Sequence, residues 1–486
     1  MKGRFVLVFI VALVCQNAVA ASISSTAGGG NWSATGTWVG GVVPTPGDDV
    51  TIVSGATVSI DVNAACLSLT MNGTAIIDFP TNNRTLTVNG IMTMNGTSQV
   101  SGNNANRVLA LQSSFIVPAG QQGGFSGITV TQPAGQNFTI AGTFAPFAPN
   151  NGTKTLGTLV MPAGSSWLAS STETYTFQGN ASLTDGSLID GSSTATIVIN
   201  GNLSVLAGVP GQHSRISRIS LTVNGTTTIA GYLEFAASGS GTKTFNNTIT
   251  VGLGGTWDDL IGEDPVINCS IVNNGTWPDP TGGTGSYRVN TAGTYTYSGS
   301  GTIGMTQLRL NSAATVTNTT TLRLAGAGTG NAAPLRMNSG GALFVNGNGT
   351  TGYLYFPASS DPVTINSGSV DFSPANNTVE YSAAIDQNIY SDGVTPYSKL
   401  VCSNGASKFV NGTTIVNNSV TITGSTVLDV TGGSDLTGTA SVIMTGTSTF
   451  RLSSSGTVPA LTGNSNNLAA GTTIEFYRGG AQTAAS

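Results

Sequence analysis

Along most of the chain, apolar residues alternate with Thr, Ser or Asn. Leu86 and Val88 precede Asn89-Gly90, and Ile197 and Ile199 precede Asn200-Gly201, with Leu203 and Val205 after it. Leu221 and Val223 precede Asn224-Gly225, followed by Ile229 and Leu233, and Val420 and Ile422 precede Thr423-Gly424. A period of two over runs of four to six residues is the pattern of a strand with one buried side. Thr at the outward positions suits a half-buried pleat. Beyond the N-terminal apolar run, no long segment carries a 3.6 period, so the pattern predicts an all-β chain. Asn-Gly dipeptides recur between the runs, from residue 72 to residue 411. Both residues tolerate positive φ and predict tight corners. Such corners fit the hairpins of an antiparallel sandwich and the bends of a parallel β-helix alike.

Internal repetition separates the two. Residues 140–156 read IAGTFAPFAPNNGTKTL and residues 229–245 read IAGYLEFAASGSGTKTF, identical at eight of seventeen positions with a shift of 89. Trp167 and Trp257 follow Lys154 and Lys243 at nearly equal distances, and Gly405 to Phe409 echoes the motif around Lys408. A shift of 89 is four coils of ~22 residues, a plausible solenoid rung. The expectation is an elongated right-handed parallel β-helix of ~21 rungs, a rod on the order of 100 Å long at ~4.8 Å per rung. The recurrence of Lys154 and Lys243 predicts an edge or corner role repeated by the fold.

Composition narrows the function. Charged residues are 8% of the 486, with 16 Lys+Arg, 21 Asp+Glu and one His, His213. Like charges stacked at strand spacing repel, so a solenoid favours such a composition. An acidic chain with a pI near 4.8 is unsuited to nucleic acid. Lys2 and Arg4, the apolar run Phe5 to Val14 and Ala18-Val19-Ala20 form a secretory signal peptide over residues 1–20. The run is too short for a membrane span, and no other stretch reaches that length. A lipoprotein reading through Cys15 is disfavoured by Val14 before it. Cys66, Cys269 and Cys402 are odd in number and far apart, which predicts buried apolar side chains rather than a disulfide framework.

Two places carry a family resemblance. From Asn31 to Asp61 the chain reads NWSATGTWVGGVVPTPGDDVTIVSGATVSID, with Trp32, Trp38, Gly41, Pro44, Gly47, Asp48 and Val50 in order. This resembles the entry segment of secreted parallel β-helix proteins of the eight-glycine type, and especially large surface proteins of Bacteroidota-like bacteria. In the C-terminal quarter, Val379-Glu380-Tyr381, Gln387-Asn388-Ile389, Tyr397 to Leu400 and Asn404-Gly405 resemble a repeat of those same proteins. Thr473 to Tyr477 and Gly480 to Thr483 look like the opening of another copy, so a longer protein is expected. The resemblance implies an adhesin, filament or wall-associated repeat; some related β-helices act on polysaccharides. The physical reading beside it takes residues 21–61 as an N-terminal cap with first strands. Trp32 and Trp38 are large enough to plug the first rung, Pro44 suits an edge, and Asp48 can bind turn amides. Solenoid repeats follow over 62–360 and 361–486.

The densest acidic group is Trp257-Asp258-Asp259 with Glu263-Asp264, followed by Trp277-Pro278-Asp279. It reads first as a solvated loop between rungs. Asp258, Asp259, Glu263 and Asp264 are also a candidate Ca²⁺ set, and Asp258 and Asp259 beside Trp257 and Trp277 a candidate carbohydrate site. His213 reads as a surface residue; the carboxylates nearest in sequence, Asp190 and Glu234, lie about twenty residues off. Arg215 and Arg218 are a candidate pair for an acidic sugar. There is no nucleophile elbow, zincin, Cys-x-x-Cys or phosphate-loop motif, so no catalytic residue and no resident cofactor are assigned. The expected role is structural or adhesive and extracellular, with polysaccharide or further copies of the chain as partners. A polysaccharide lyase or hydrolase and a non-catalytic carbohydrate-binding stalk are the alternatives.

Overall fold

The computed structural model describes residues 20–476 except 103–105, 147–151, 170–172, 192–193, 236–240, 260–262, 281–284, 349–350, 453–461 and 464–465. Most of the expected signal peptide and the end of the last expected repeat, including Gly480 to Thr483, lie outside the described residues.

The alternating runs fold as short strands with every second side chain inward. Asp49–Ile52, Thr57–Ser59 and Ala64–Cys66 form the three sides of one coil. Ser68–Met71, Ile76–Asp78 and Thr85–Val88 form the next. Each strand pairs in parallel with its counterpart one coil on: Val50 with Leu69, Val58 with Ile77, Ala65 with Thr87. The chain is therefore a three-sided parallel β-solenoid of about 18 turns, a right-handed β-helix rod, the hand favoured for parallel crossovers. The turns are fewer than the ~21 rungs expected from a 22-residue coil because some coils are longer. Leu308, Leu335 and Val363 are successive partners, 27 and 28 residues apart. The 89-residue repeat does span four coils: Ile140 and Ile229 end strands of one face, linked by way of Thr158–Met161, Ala181–Thr184 and Leu203–Leu206.

The core is a set of columns. On the first face Leu69, Met92, Phe115, Phe138 and Leu159 stand in register, with Phe115 and Phe138 stacked at 4.4 Å. All five Trp residues are inside, none more than 2% exposed. The three described cysteines are free and buried, and burial pushes each thiol up to about 12, as expected of inert packing groups.

The corners differ from expectation. Gly73, Gly96 and Gly405 do have positive φ, but Gly90, Gly201 and Gly225 do not. They are required instead by close approach between rungs: a Cβ on Gly225 would lie 2.3 Å from the Gly201 carbonyl oxygen. Asn side chains at the corners, some of them followed by glycine and some not, form a ladder between rungs. The Nδ2 of Asn224 donates to Asn200, that of Asn246 to Asn224 and that of Asn268 to Asn246, at 2.9–3.1 Å. The same step joins Asn311 to Asn290 at 2.9 Å and Asn411 to Asn388 at 2.7 Å.

At the N-terminal end the chain crosses the first coil. Ser25 and Trp38 form an antiparallel bridge, whereas the pairings between strands are parallel. Trp32 and Trp38 meet edge to face at 4.9 Å, and Trp38 Nε1 donates to the Trp32 carbonyl at 2.8 Å. Pro44 is buried. Asp48 accepts the Thr45 hydroxyl and amide, both at 2.7 Å, and the Ala21 amide at 3.1 Å. The Thr45 bonds hold its carboxyl below the ordinary range.

Gly225→Ala should destabilise the surrounding coils by about 1–3 kcal/mol through overpacking. Gly135→Ala, with open space around the added carbon, should stay within about 0.5 kcal/mol. Urea unfolding read by hydrogen exchange near each site measures both.

Candidate functional site

The second face brings together charged residues that are distant in sequence. Along it Leu188, Arg215, Glu234 and Asp258 stack in register, one per rung. Glu234 sits beneath Arg215 and His213. Arg215 Nε and Nη2 donate to its Oε1 at 2.8 and 2.6 Å, and His213 Nδ1 is 2.5 Å from its Oε2. The His213 ring lies flat on Tyr232 at 3.6 Å, and the Tyr232 hydroxyl donates to Asp258. Burial and this bond raise the Tyr232 phenol well above its usual range. Asp185 accepts the Tyr232 amide at 2.8 Å and the Gly208 amide at 3.3 Å. A depression of about 500 Å³ opens beside the cluster, lined by Gly186, Ser187, Gln212, His213, Arg215 and Glu234.

Exposure in this cluster is uneven. The Arg215 and His213 side chains are 53% and 35% exposed, but that of Glu234 is 2%. Arg218 turns away and clasps Asp190 at 3.1 and 2.9 Å, holding that carboxyl below its usual range. Arg215 and Arg218 thus serve separate carboxylates and do not form one acidic-sugar clamp. His213 is not an isolated surface residue. Its carboxylate is Glu234, 21 residues on, and one rung is about that long. Reading one-rung separations as contacts would have paired His213 with Glu234, which the sequence offered only as a distant carboxylate; Tyr232 and Asp185 were not singled out by sequence.

The acidic group around Trp257 needs correction. Residues Thr256–Asp259 form a strand, not a solvated loop. Trp257 and Trp277 are buried and stack on each other at 4.4 Å, so neither ring offers a face to a sugar. Asp258 points outward to Tyr232, and Asp259 points inward. Asp264 lies elsewhere, paired with Arg288 and accepting the Ser286 amide at 2.7 Å. The four carboxylates proposed for Ca²⁺ therefore do not converge, and no other metal-ligating group stands out among the described residues.

The recurring lysines are also placed unexpectedly. Lys154, Lys243 and Lys408 occupy inward positions of the third face and are fully buried. A corner role survives in part. Lys154 Nζ donates to the Gly152 carbonyl at 3.1 Å, Lys243 to Gly241 at 2.8 Å, and Lys408 to Ala383 and Ile385 at 2.5 and 3.2 Å. Lys154 faces Glu173 at 3.4 Å and Lys243 faces Glu263 at 3.1 Å. Burial lowers all three ammonium pKa values, that of Lys408 to about 8.

Comparison with family models, with curated proteins and with solved structures finds no match to this chain. No helix among the described residues is long and apolar enough to cross a membrane.

Two measurements test these placements. Native Trp emission should be blue-shifted and resist quenching by iodide, with quenching appearing only on unfolding. Lys408 carries a folded pKa below its unfolded value of about 10.5, so the native state binds fewer protons between those values. Lys408 should therefore add stability as pH increases from about 8 to about 10.5, and Lys408→Met should give a smaller rise than the wild-type chain in a pH series of urea midpoints.

Proposed function

We propose that this chain is an extracellular, non-catalytic β-solenoid rod: a stalk, a filament subunit or a segment of a surface adhesin. The observation that supports it best is the occlusion of the second-face carboxylates. A general base or nucleophile has to reach its substrate, yet Glu234 lies under Arg215 and His213, and Asp258 under Tyr232. Their oxygens serve neighbouring rungs. The low charge, the side-chain ladders and the resemblance to Bacteroidota-like surface proteins favour the same reading. So does the N-terminal segment expected to direct secretion. Extracellular polysaccharide and further copies of the chain are the partners this role calls for.

One observation favours a second reading, a polysaccharide-active β-helix enzyme. The depression beside His213 places a guanidinium, an imidazole and a carboxylate around one opening. Incubating the purified rod with neutral and anionic polysaccharides decides between the readings. The rod should release no reducing ends and no unsaturated products. Turnover that Glu234→Gln abolishes while circular dichroism stays unchanged would establish the enzyme instead, and binding without turnover would identify a carbohydrate-binding stalk.

A further inference from the structure

The outer side of the third face carries a column of like charges. Strands Ser286–Val289 and Gln307–Leu310 and the start of Leu335–Asn346 run side by side, and alternation turns one arginine outward from each. Arg288 is in register with Arg309, and Arg309 with Arg336. The column starts after Val266 and ends at Thr364. All three arginines are partly exposed. Their backbone positions stand one strand spacing apart, ~4.8 Å, where like charges repel.

One carboxylate answers three cations. Among the described residues Arg288 is the one member of the column with an ion pair, to Asp264. Its Nε also donates to the Ser286 hydroxyl at 3.2 Å. Arg309 Nε and Nη2 donate to the Gln307 amide oxygen at 3.0 and 2.5 Å. Arg336 Nη1 donates to the Asn331 carbonyl at 3.0 Å, and its Nε and Nη2 lie 3.1 and 2.8 Å from the Asn366 side-chain amide. These partners of Arg309 and Arg336 are neutral, so they orient the guanidiniums and cancel no charge. Burial and the flanking Arg336 and Arg288 hold the Arg309 pKa below its ordinary value, although the group remains a cation.

A second column runs beside the first. Two residues after each arginine stand Asn290, Asn311 and Asn338. Asn311 Nδ2 donates to Asn290 at 2.9 Å and Asn338 Nδ2 to Asn311 at 2.7 Å. Asn290 and Asn311 are exposed, and each ladder bond uses one of the two amide hydrogens. The repeated Arg-x-Asn therefore offers a cation and an amide on each of three successive rungs.

We propose that this strip binds a linear acidic polysaccharide along the rod axis, its carboxylates on Arg288, Arg309 and Arg336 and its hydroxyls on the Asn column. A guanidinium meets a carboxylate through two parallel N–H bonds. A bound carboxylate on each rung offsets the repulsion that the column otherwise carries. A polymer suits the strip better than a small anion because the cations recur along one line. Nucleic acid suits it less: none of these side chains is a ring on which bases stack, and the whole chain is acidic. The inference deepens the extracellular adhesive reading and rests on it for the presence of such a polymer.

Calorimetric titration of the full purified chain at low salt with polygalacturonate and alginate, beside neutral dextran and single-stranded DNA, tests the proposal. The uronate polymers should bind, dextran and DNA should not, and binding should weaken as ionic strength rises. Arg309→Gln should weaken binding by about tenfold, the loss of one charged hydrogen-bonded contact. Thr364→Arg adds a fourth cation to the column and should strengthen binding severalfold, which keeps the test open where Arg309→Gln does not fold. Arg218→Gln removes the same charge from a residue that clasps Asp190 and should change nothing. Circular dichroism checks the fold of each variant. Absence of binding to either uronate polymer overturns the proposal, as does binding that folded Arg309→Gln and Thr364→Arg leave unchanged. Equal binding of DNA overturns the assignment to acidic sugars. Dextran binding that Arg309→Gln leaves intact overturns this strip while retaining a carbohydrate-binding stalk, so the two failures are told apart.

Discussion

Each inner strand of this rod lies one strand spacing, ~4.8 Å, from its counterparts in the neighbouring coils. Backbone pairing fixes that distance, and the side chains have to accept it. Apolar residues accept it readily, so the core is a set of columns rather than a cluster around a centre. Flat rings stack, as Phe115 does on Phe138 and Trp257 on Trp277. Asn accepts it because its amide is both donor and acceptor, so a column of Asn closes a corner with one bond per rung. Like charges do not accept it. The 8% charged content follows from the geometry as much as from any environment.

Several of the charges that remain are paired across rungs. The inward lysines show how: each ammonium binds corner carbonyls, and two of the three also meet a glutamate. Removing such groups from water costs several kcal/mol per ion, and the pair recovers this only when its remaining atoms are bonded. Lys408, without a carboxylate bonded to it, carries the lowered pKa that this argument requires. These positions lie where the chain turns between faces, so the amine fixes a corner that the short strands alone leave under-determined. That is a specificity role of the kind buried polar groups sometimes serve.

Much of the fold was legible because its period is short and repeated. Alternation identified the strands, the shift of 89 identified four coils, and Asn-Gly marked the corners, although part of its work is laddering and close approach rather than positive φ. The candidate site was less legible because its contacts run between rungs. His213 and Glu234 are distant along the chain and adjacent in space, and the loop insertions that vary the coil length hide such partners from a fixed-window search. The error at Trp257 had a different source. Clustered acids suggested solvent, but strict alternation through Trp257, Asp258 and Asp259 already separates them onto opposite sides of one strand.

The same constraint bears on what the second face is for. Glu234 and Asp258 are in register on adjacent rungs, and two bare carboxylates at that spacing repel. Arg215 and His213 on one side and Tyr232 on the other supply the donors that let both remain. The convergence of His, Arg and two acids therefore has a sufficient cause in the stacking rule, without any substrate. The more exposed groups are Arg215 and His213, and the acids beneath them and beneath Tyr232 bond to neighbouring rungs.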